Sequence, residues 1–222
     1  MFAYKNTKKI EVGTFIFKTK DNNKFTFEEV IGLRGYILNQ FNEKIEYHNH
    51  LSKYNFNYKS PLIQYKIING QLAIVVFDKM IEAVKRDLES LNKINIFGEE
   101  YSFKLISKIE TLEIGIVDSL QRYTFELPWM AINQNNMELY KNGNFNLNKQ
   151  LRNNMIEIFK ALDIFAEKQV MVNGIFEKNI KNYKENDFVV YEGSFVTNVN
   201  LPDYIGLGKR KSIGYGTISS VE

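Results

Sequence analysis

The sequence predicts an α+β chain built from two successive units. Three observations carry that reading. Short apolar runs, Ile10–Lys18, Leu62–Ile68 and Leu72–Phe77, have the length and make-up of strands. Two longer stretches, Phe25–Phe41 and Asn148–Ala166, repeat apolar residues at helical spacing. In the first half the elements fall in the order β-α-β-β-α-β.

Ile10–Lys18 places Val12 and isoleucines among polar residues, as a strand does. In Phe25–Phe41, Val30, Leu33, Ile37, Leu38 and Phe41 make one helical face. Thr26 and Glu29 match a capping box, which satisfies backbone N–H groups at a helix start. Gly32 and Gly35 lower the propensity of that helix, which close packing or close approach of a ligand would explain. Asn42–Ser60 is a polar, aromatic connection that holds both histidines, with Tyr47, Tyr54, Phe56 and Tyr58. Connections of that length are often functional. Pro61 precedes Leu62–Ile68, Asn69-Gly70 signals a tight hairpin turn, and Leu72–Phe77 returns. Asp78 is placed to cap a helix to about Leu91, with Ile81, Val84, Lys85, Leu88 and Leu91 at helical spacing. Ser102–Val117 reads as mostly strand, which completes the ferredoxin-like order.

A second unit starts near Leu120, so the expected domains are residues 1–118 and 119–222, divided within Val117–Gln121. Tyr123–Ile132 reads as a strand, and Trp129 is assigned to the core. Asn148–Ala166 is the clearest helix, with Leu151, Met155, Ile158, Phe159, Leu162 and Phe165 as its core stripe. Val170–Lys178, Asp187–Asn198 and Tyr215–Val221 are further strands, which makes the second unit an α/β arrangement with extra hairpins.

Composition narrows the function. A chain of 222 residues that is 44% hydrophobic has a substantial core available. Its 17 Phe and 13 Tyr leave rings for exposed stacking surfaces as well as for the core. Tyr36, Tyr65, Tyr204 and Tyr215 are candidates for stacking on bases, with packing as the competing reading. The formal net charge is only +3, so any polyanion must be met by a local patch. The absence of cysteine excludes disulfides, thiolate metal sites and cysteine nucleophiles. Two histidines alone do not make a zinc site, and no metal or cofactor is expected. No apolar run is long enough to span a membrane, and Met1–Lys5 lacks a signal-peptide core, so the expectation is a cytoplasmic protein.

The densest motif is Gly206-Leu207-Gly208-Lys209-Arg210-Lys211-Ser212-Ile213-Gly214-Tyr215-Gly216. Glycine allows backbone to approach a ligand closely, and turns of this kind form anion-binding nests. Three consecutive cations between the glycines make a phosphodiester the natural ligand. The competing reading is a tight turn between strands with solvated cations.

These motifs together resemble the CRISPR-associated Cas6 endoribonucleases of the RAMP superfamily, in their Cas6b-like branch. The resemblance rests on Leu33-Arg34-Gly35-Tyr36, on Tyr47-His48-Asn49-His50, on Ser60-Pro61-Leu62-Ile63-Gln64-Tyr65-Lys66, on Leu127-Pro128-Trp129-Met130-Ala131-Ile132-Asn133-Gln134, and on Pro202–Gly208 with Gly214–Ile218. It implies tandem ferredoxin-like (RRM-like) domains and metal-independent cleavage of CRISPR precursor RNA within its repeats. It implies that the glycine-rich segment touches RNA or supports its groove, through Gly206, Gly208, Lys209, Arg210, Lys211, Ser212, Gly214, Tyr215 and Gly216, with Arg34 as a further contact. A homodimer and a place in a CRISPR effector complex are consistent with it.

RNA carries its own nucleophile, the 2′-OH. A base that removes its proton and an acid that protonates the leaving 5′ oxygen suffice for cleavage, and histidine suits both tasks near neutral pH. His48 and His50 are two positions apart, which in an extended segment places them on one side and in a helix separates them. The residues alone do not rank them. By resemblance His50 is the first choice for the essential group and His48 the second. Tyr54 or Tyr58 could orient a phosphate or the 2′-OH, and Lys66 or Arg34 could stabilise charge. The competing reading places both histidines on a surface loop. The string His-Asn-His does not indicate a metal-dependent HNH nuclease, which needs a ββα-metal arrangement with ligands spread along the sequence, and there is no third histidine here.

Overall fold

The computed structural model describes residues 6–20, 23–44, 50–52, 55–56, 60–183 and 186–221; for 50–52, 55–56, 183 and 186 it describes the backbone only. In chain order the elements are β1 (Thr7–Thr19), α1 (Phe27–Gln40), β2 (His50–Ser52), β3 (Asn55–Phe56), β4 (Ile63–Ile68), β5 (Gln71–Phe77), α2 (Ile81–Glu89), β6 (Lys93–Ile96), β7 (Glu99–Phe125), α3 (Met137–Lys141), α4 (Leu147–Ala161), β8 (Val172–Tyr183), β9 (Asn186–Asn200) and β10 (Ile218–Ser220). This is an α+β fold. No described helix is long and apolar enough to cross a membrane.

The chain forms two compact units. The first is Ile10–Leu112 with Ser212–Gly214; the second is Glu113–Lys211 with the described residues at both chain ends.

In the first unit the sheet order is β4-β5-β1-β7. Asn69 (φ 51°) and Gly70 (φ 77°) both take positive φ, the geometry of the tight turn between β4 and β5. β5 is buried on consecutive residues from Leu72 to Phe77, so both its faces are covered. α1 begins with the expected capping box: the Thr26 N–H and hydroxyl donate to Glu29 Oε2 at 2.7 and 2.6 Å. Its buried face is Val30, Leu33 and Ile37. Gly32 is there for packing, since a Cβ would stand 2.8 Å from Ile96 Cγ2 of β6. α2 starts later than expected. Asp78 adopts φ 54° and opens a 3-10 turn rather than capping the helix with its side chain. The apolar positions Ile81, Val84 and Leu88 are buried as the spacing predicts.

β7 is the largest departure from the sequence reading. It runs for 27 residues through Val117–Gln121, where a unit boundary was expected, and ends at Phe125 rather than continuing to Ile132. The units change within it, between Leu112 and Glu113. Gly115 (φ +139°) makes the close approach possible: a Cβ there would lie 2.2 Å from the Asn6 carbonyl oxygen, which accepts the Ile116 N–H at 2.7 Å.

In the second unit β7 is flanked by β10 on one side and β9 on the other, and β8 pairs outside β9. α4 buries Leu151, Met155, Ile158 and Phe159 as expected, but it ends at Ala161. Asp163 turns into positive φ (52°) and the Ile164 N–H reaches back to the Phe159 carbonyl at 2.8 Å, a Schellman closure without glycine. Phe165 therefore leaves the helical stripe and is 62% exposed rather than core. Trp129 is fully buried, as predicted.

Candidate functional site

The glycine-rich segment is a hairpin of backbone on backbone. The Leu207 N–H donates to Gly216 O at 2.9 Å, Tyr204 N–H to Ile218 O at 2.7 Å, and Ile218 N–H to Ile205 O at 3.1 Å. Gly206 and Thr217 bridge the same pair. Two glycines are required by what lies beside them. Gly216 (φ +63°) leaves no room for a Cβ, which would meet Leu207 O at 2.0 Å. Gly208 (φ +81°) faces Trp129 Nε1, 2.5 Å from where a Cβ would stand, and Met130 O at 2.7 Å.

The hairpin is anchored to Pro128–Met130. The Gly216 N–H donates to Pro128 O at 2.9 Å and the Lys209 N–H to Met130 O at 3.0 Å. Trp129 is itself clamped. Its backbone exchanges hydrogen bonds with Tyr191 at 2.7 and 2.9 Å. Its indole N–H donates to Asn154 Oδ1 at 3.1 Å, and its ring stacks on Phe125 at 5.5 Å between centroids. Sequence reasoning treated Trp129 as core and missed that it is the seat of the glycine motif. The proximity is invisible in sequence because some 80 residues separate the two pieces.

The three cations do not share one surface. Lys209 is exposed. The Arg210 guanidinium lies over the Phe188 ring, 4.7 Å from its centroid, an arrangement favoured by the ring's negative face. Arg210 also holds φ 58°. Lys211 is 8% exposed and its ammonium pairs with Glu157 at 2.9 Å. Ser212 is half-buried, Gly206, Gly208, Gly214 and Gly216 are buried, and Tyr215 is 6% exposed. A shared nest in which all three cations face one phosphate is not the arrangement observed; Lys209 is the most open of them.

In the first unit, β2 and β3 pair antiparallel, with His50 opposite Phe56 and Ser52 opposite Asn55. His50 is thus in extended backbone. His48, Tyr54 and Tyr58 lie outside the described residues. Lys66 is fully buried in β4, so its ammonium is not presented to solvent. Tyr65, beside it, is 2% exposed, its hydroxyl has no hydrogen-bond partner among the described residues, and burial pushes its pKa up against the opposing charge of Arg34. Arg34 is half-buried on α1, while among the described residues nothing stands within 4 Å of where a Cβ on Gly35 would be. Tyr36 is held by a hydrogen bond from its hydroxyl to Lys93 O at 3.0 Å. Among the described residues no three His, Asp or Glu side chains converge as a metal site would need.

The profile of the Cas6b N-terminal domain matches residues 8–114, and that of the Cas6b C-terminal domain matches residues 115–221. The chain belongs to the Cas6b family. A solved Cas6b structure superposes with a TM-score of 0.85 at 23% identity, covering 96% of this chain and 100% of that one. A second, described as a CRISPR RNA-processing endoribonuclease Cas6b, gives 0.74 at 23% identity over the same shares. A Cas6-related protein of Pyrococcus furiosus gives 0.55 at 12% identity, over 97% and 99% of the two chains. An uncharacterised protein of Methanocaldococcus jannaschii is 30% identical over 140 residues, 60% of this chain and 95% of its own length.

Within this Cas6b chain, two motifs that carried the resemblance prove to be one structural device. Leu127–Gln134 supplies the platform, and Pro202–Ile218 supplies the hairpin that closes on it. The glycines hold that closure, and their spacing is dictated by the Trp129 ring and the Leu207 carbonyl.

Proposed function

We propose that this chain is a metal-independent endoribonuclease that cleaves CRISPR precursor RNA within its repeats. The observation that carries the reading is the match of both Cas6b domains, end to end, over residues 8–221. The whole-chain superposition on a CRISPR RNA-processing Cas6b supports the shared fold.

Each unit is read as ferredoxin-like. With the short β2, β3 and β6 set aside, the first runs β1-α1-β4-β5-α2-β7 with sheet order β4-β5-β1-β7. With the short α3 set aside, the second runs β7-α4-β8-β9-β10 with order β10-β7-β9-β8, and the glycine-rich hairpin replaces its second helix. Such sheets are a common scaffold for single-stranded RNA.

In the reaction the 2′-OH attacks the adjacent phosphorus. Its proton goes to a general base, the P–O5′ bond breaks, and an acid protonates the departing oxygen. The products are a 2′,3′-cyclic phosphate and a 5′-hydroxyl. His50 is assigned the essential proton transfer and His48 the partner role, with Tyr54 or Tyr58 orienting the phosphate. The burial of Lys66 disfavours it as a phosphate contact, so charge stabilisation passes to Arg34.

The test is cleavage of the host's repeat RNA in EDTA, beside an RNA with a 2′-deoxy nucleotide at the scissile position. Defined cleavage of the first only, reduced about 10²–10⁴-fold in His50→Ala with binding retained, is the expected outcome. Tight binding with no cleavage by the wild type would reject the nuclease and leave a guide-RNA-binding protein.

A further inference from the structure

We propose that the outer face of α4 is a second RNA-binding groove, which holds a single-stranded part of the repeat or its flank. The proposal rests on the RNA-processing reading above.

The groove arises from the way α4 ends. The Schellman closure at Asp163 reverses the chain, and residues 163–170 run back along the helix. Between them lies an open hollow of about 560 Å³. That is within the usual range for ligand clefts, about 300–1,000 Å³. Its floor is apolar: Ile156, Phe159, Ile164 and Val170. Phe165, 62% exposed, stands at its edge as an unshielded ring.

The rim is cationic. Arg152, Lys160 and Lys168 line the hollow. It shares Arg152, Gln169 and Val170 with a second hollow of about 420 Å³ that adds Lys149 and the exposed Met171. It shares Asp163, Ile164 and Phe165 with a third of about 430 Å³ that adds Lys8 and Lys9. The three together carry six cations against two carboxylates, Asp163 and Glu113, an excess of four. The lining is thus locally positive in a chain whose total net charge is only +3. Lys168 is paired with exposed Asp118 at 2.5 Å, and Lys8 donates to Leu162 O at 2.8 Å. Lys9, Lys149, Arg152 and Lys160 make no ion pair among the described residues.

An apolar floor, an exposed ring and a cationic rim are the parts from which single-strand sites are built: bases stack on rings while cations follow the phosphates. The amides of Asn153 and Gln169 at the same rim offer donors and acceptors to base edges. Charge favours a polyanion over an uncharged apolar segment, and stacking distinguishes RNA from an acidic peptide.

The experiment uses the intact chain and repeat RNA with a 2′-deoxy scissile nucleotide, carrying 4-thiouridine along its length. Photocrosslinked peptides are mapped by mass spectrometry. Affinity is measured against salt for wild type, Arg152→Glu/Lys160→Glu, Phe165→Ala and the conservative Arg152→Lys/Lys160→Arg. Crosslinks within 149–171 are expected. The charge-reversed pair should bind about tenfold more weakly near 0.15 M salt, with a salt slope about 1.4 smaller, since each single-strand phosphate contact accounts for about 0.7. Phe165→Ala should weaken binding about tenfold at every salt, as loss of one stacked base does. The conservative pair should bind like wild type, and all variants should cleave unmodified RNA at the wild-type rate when saturated. Crosslinks confined to other peptides, with variant affinities within twofold of wild type, would overturn the groove and leave the nuclease reading intact. Capture of an acidic amphipathic peptide by this groove without RNA crosslinks would overturn it too. No binding or cleavage of repeat RNA by the wild type would remove both.

Discussion

Gly208→Ala isolates the contact that seats the glycine-rich hairpin. Gly208 has φ +81°, a conformation that costs an L-residue about 1–2 kcal/mol. The new methyl would stand 2.5 Å from Trp129 Nε1 and 2.7 Å from Met130 O. Neither neighbour is free to withdraw. The indole is fully buried, hydrogen-bonded to Asn154 at 3.1 Å and stacked on Phe125, and the Met130 carbonyl accepts the Lys209 N–H at 3.0 Å. Overpacking a rigid site costs about 1–3 kcal/mol, so the two effects together give about 2–5 kcal/mol. For a chain of this size each kcal/mol lowers Tm by about 2–4 °C, so a fall of about 4–20 °C is expected. Trp129 is the chain's one tryptophan, so unfolding followed by its fluorescence reports the site directly. Gly143→Ala is the control: it also has positive φ (+72°) but, among the described residues, no atom within 4 Å of the added methyl, so it carries only the conformational part. If Gly208→Ala is no more destabilising than Gly143→Ala, the close approach to Trp129 is not what the glycine is for.

Two further outcomes are expected. Lys209→Ala should weaken RNA binding and reduce its salt slope by about 0.7, whereas Lys211→Met should leave the slope nearly unchanged, because the Lys211 ammonium is already paired with Glu157 and 8% exposed. Anisotropy titrations across salt distinguish the two, and equal slopes would contradict the observed division of the cations. Glu29 has a pKa below its ordinary value of 4.5: burial opposes ionisation, but hydrogen bonds from the Thr26 hydroxyl and N–H outweigh it. A carboxylate with a lowered folded-state pKa contributes stability above its unfolded value and loses it as pH falls through the folded one. The stability gap between wild type and Glu29→Gln, measured in urea, should therefore be full at pH 7 and shrink below about pH 4.5. A gap independent of pH would reject the capping role of the carboxylate.

Much of the first unit is legible because its signals are local. Thr26 and Glu29 are three residues apart, and Asn69-Gly70 joins two strands directly, so both devices can be read without a fold. The end of α4 was misplaced because Asp163, rather than glycine, takes the left-handed position, and nothing in the apolar spacing marks the stop before Phe165. β6 was missed because Lys93–Ile96 is four residues long and acquires meaning by pairing with Lys93↔Ser102 through Ile96↔Glu99. The expected break at Val117–Gln121 is instead a strand in which the pairing with β9 shifts register between Ile116 and Gln121. A bulge of that kind resembles an interruption in sequence and is none in the ladder.

The α+β order of the first half, the helix start at Thr26, the turn at Asn69-Gly70 and the Cas6b family are all legible along the chain, because they depend on residue types at short or fixed spacings. What the glycine motif packs against and where its cations go depends on contacts between distant parts of the chain. Gly208 is constrained by Trp129, Lys211 by Glu157 and Arg210 by Phe188, pairs that lie between 22 and 79 positions apart. A run of like charges reads as one patch along the chain. In the folded protein each backbone turn aims the next side chain elsewhere, and desolvation obliges the buried member to take a partner.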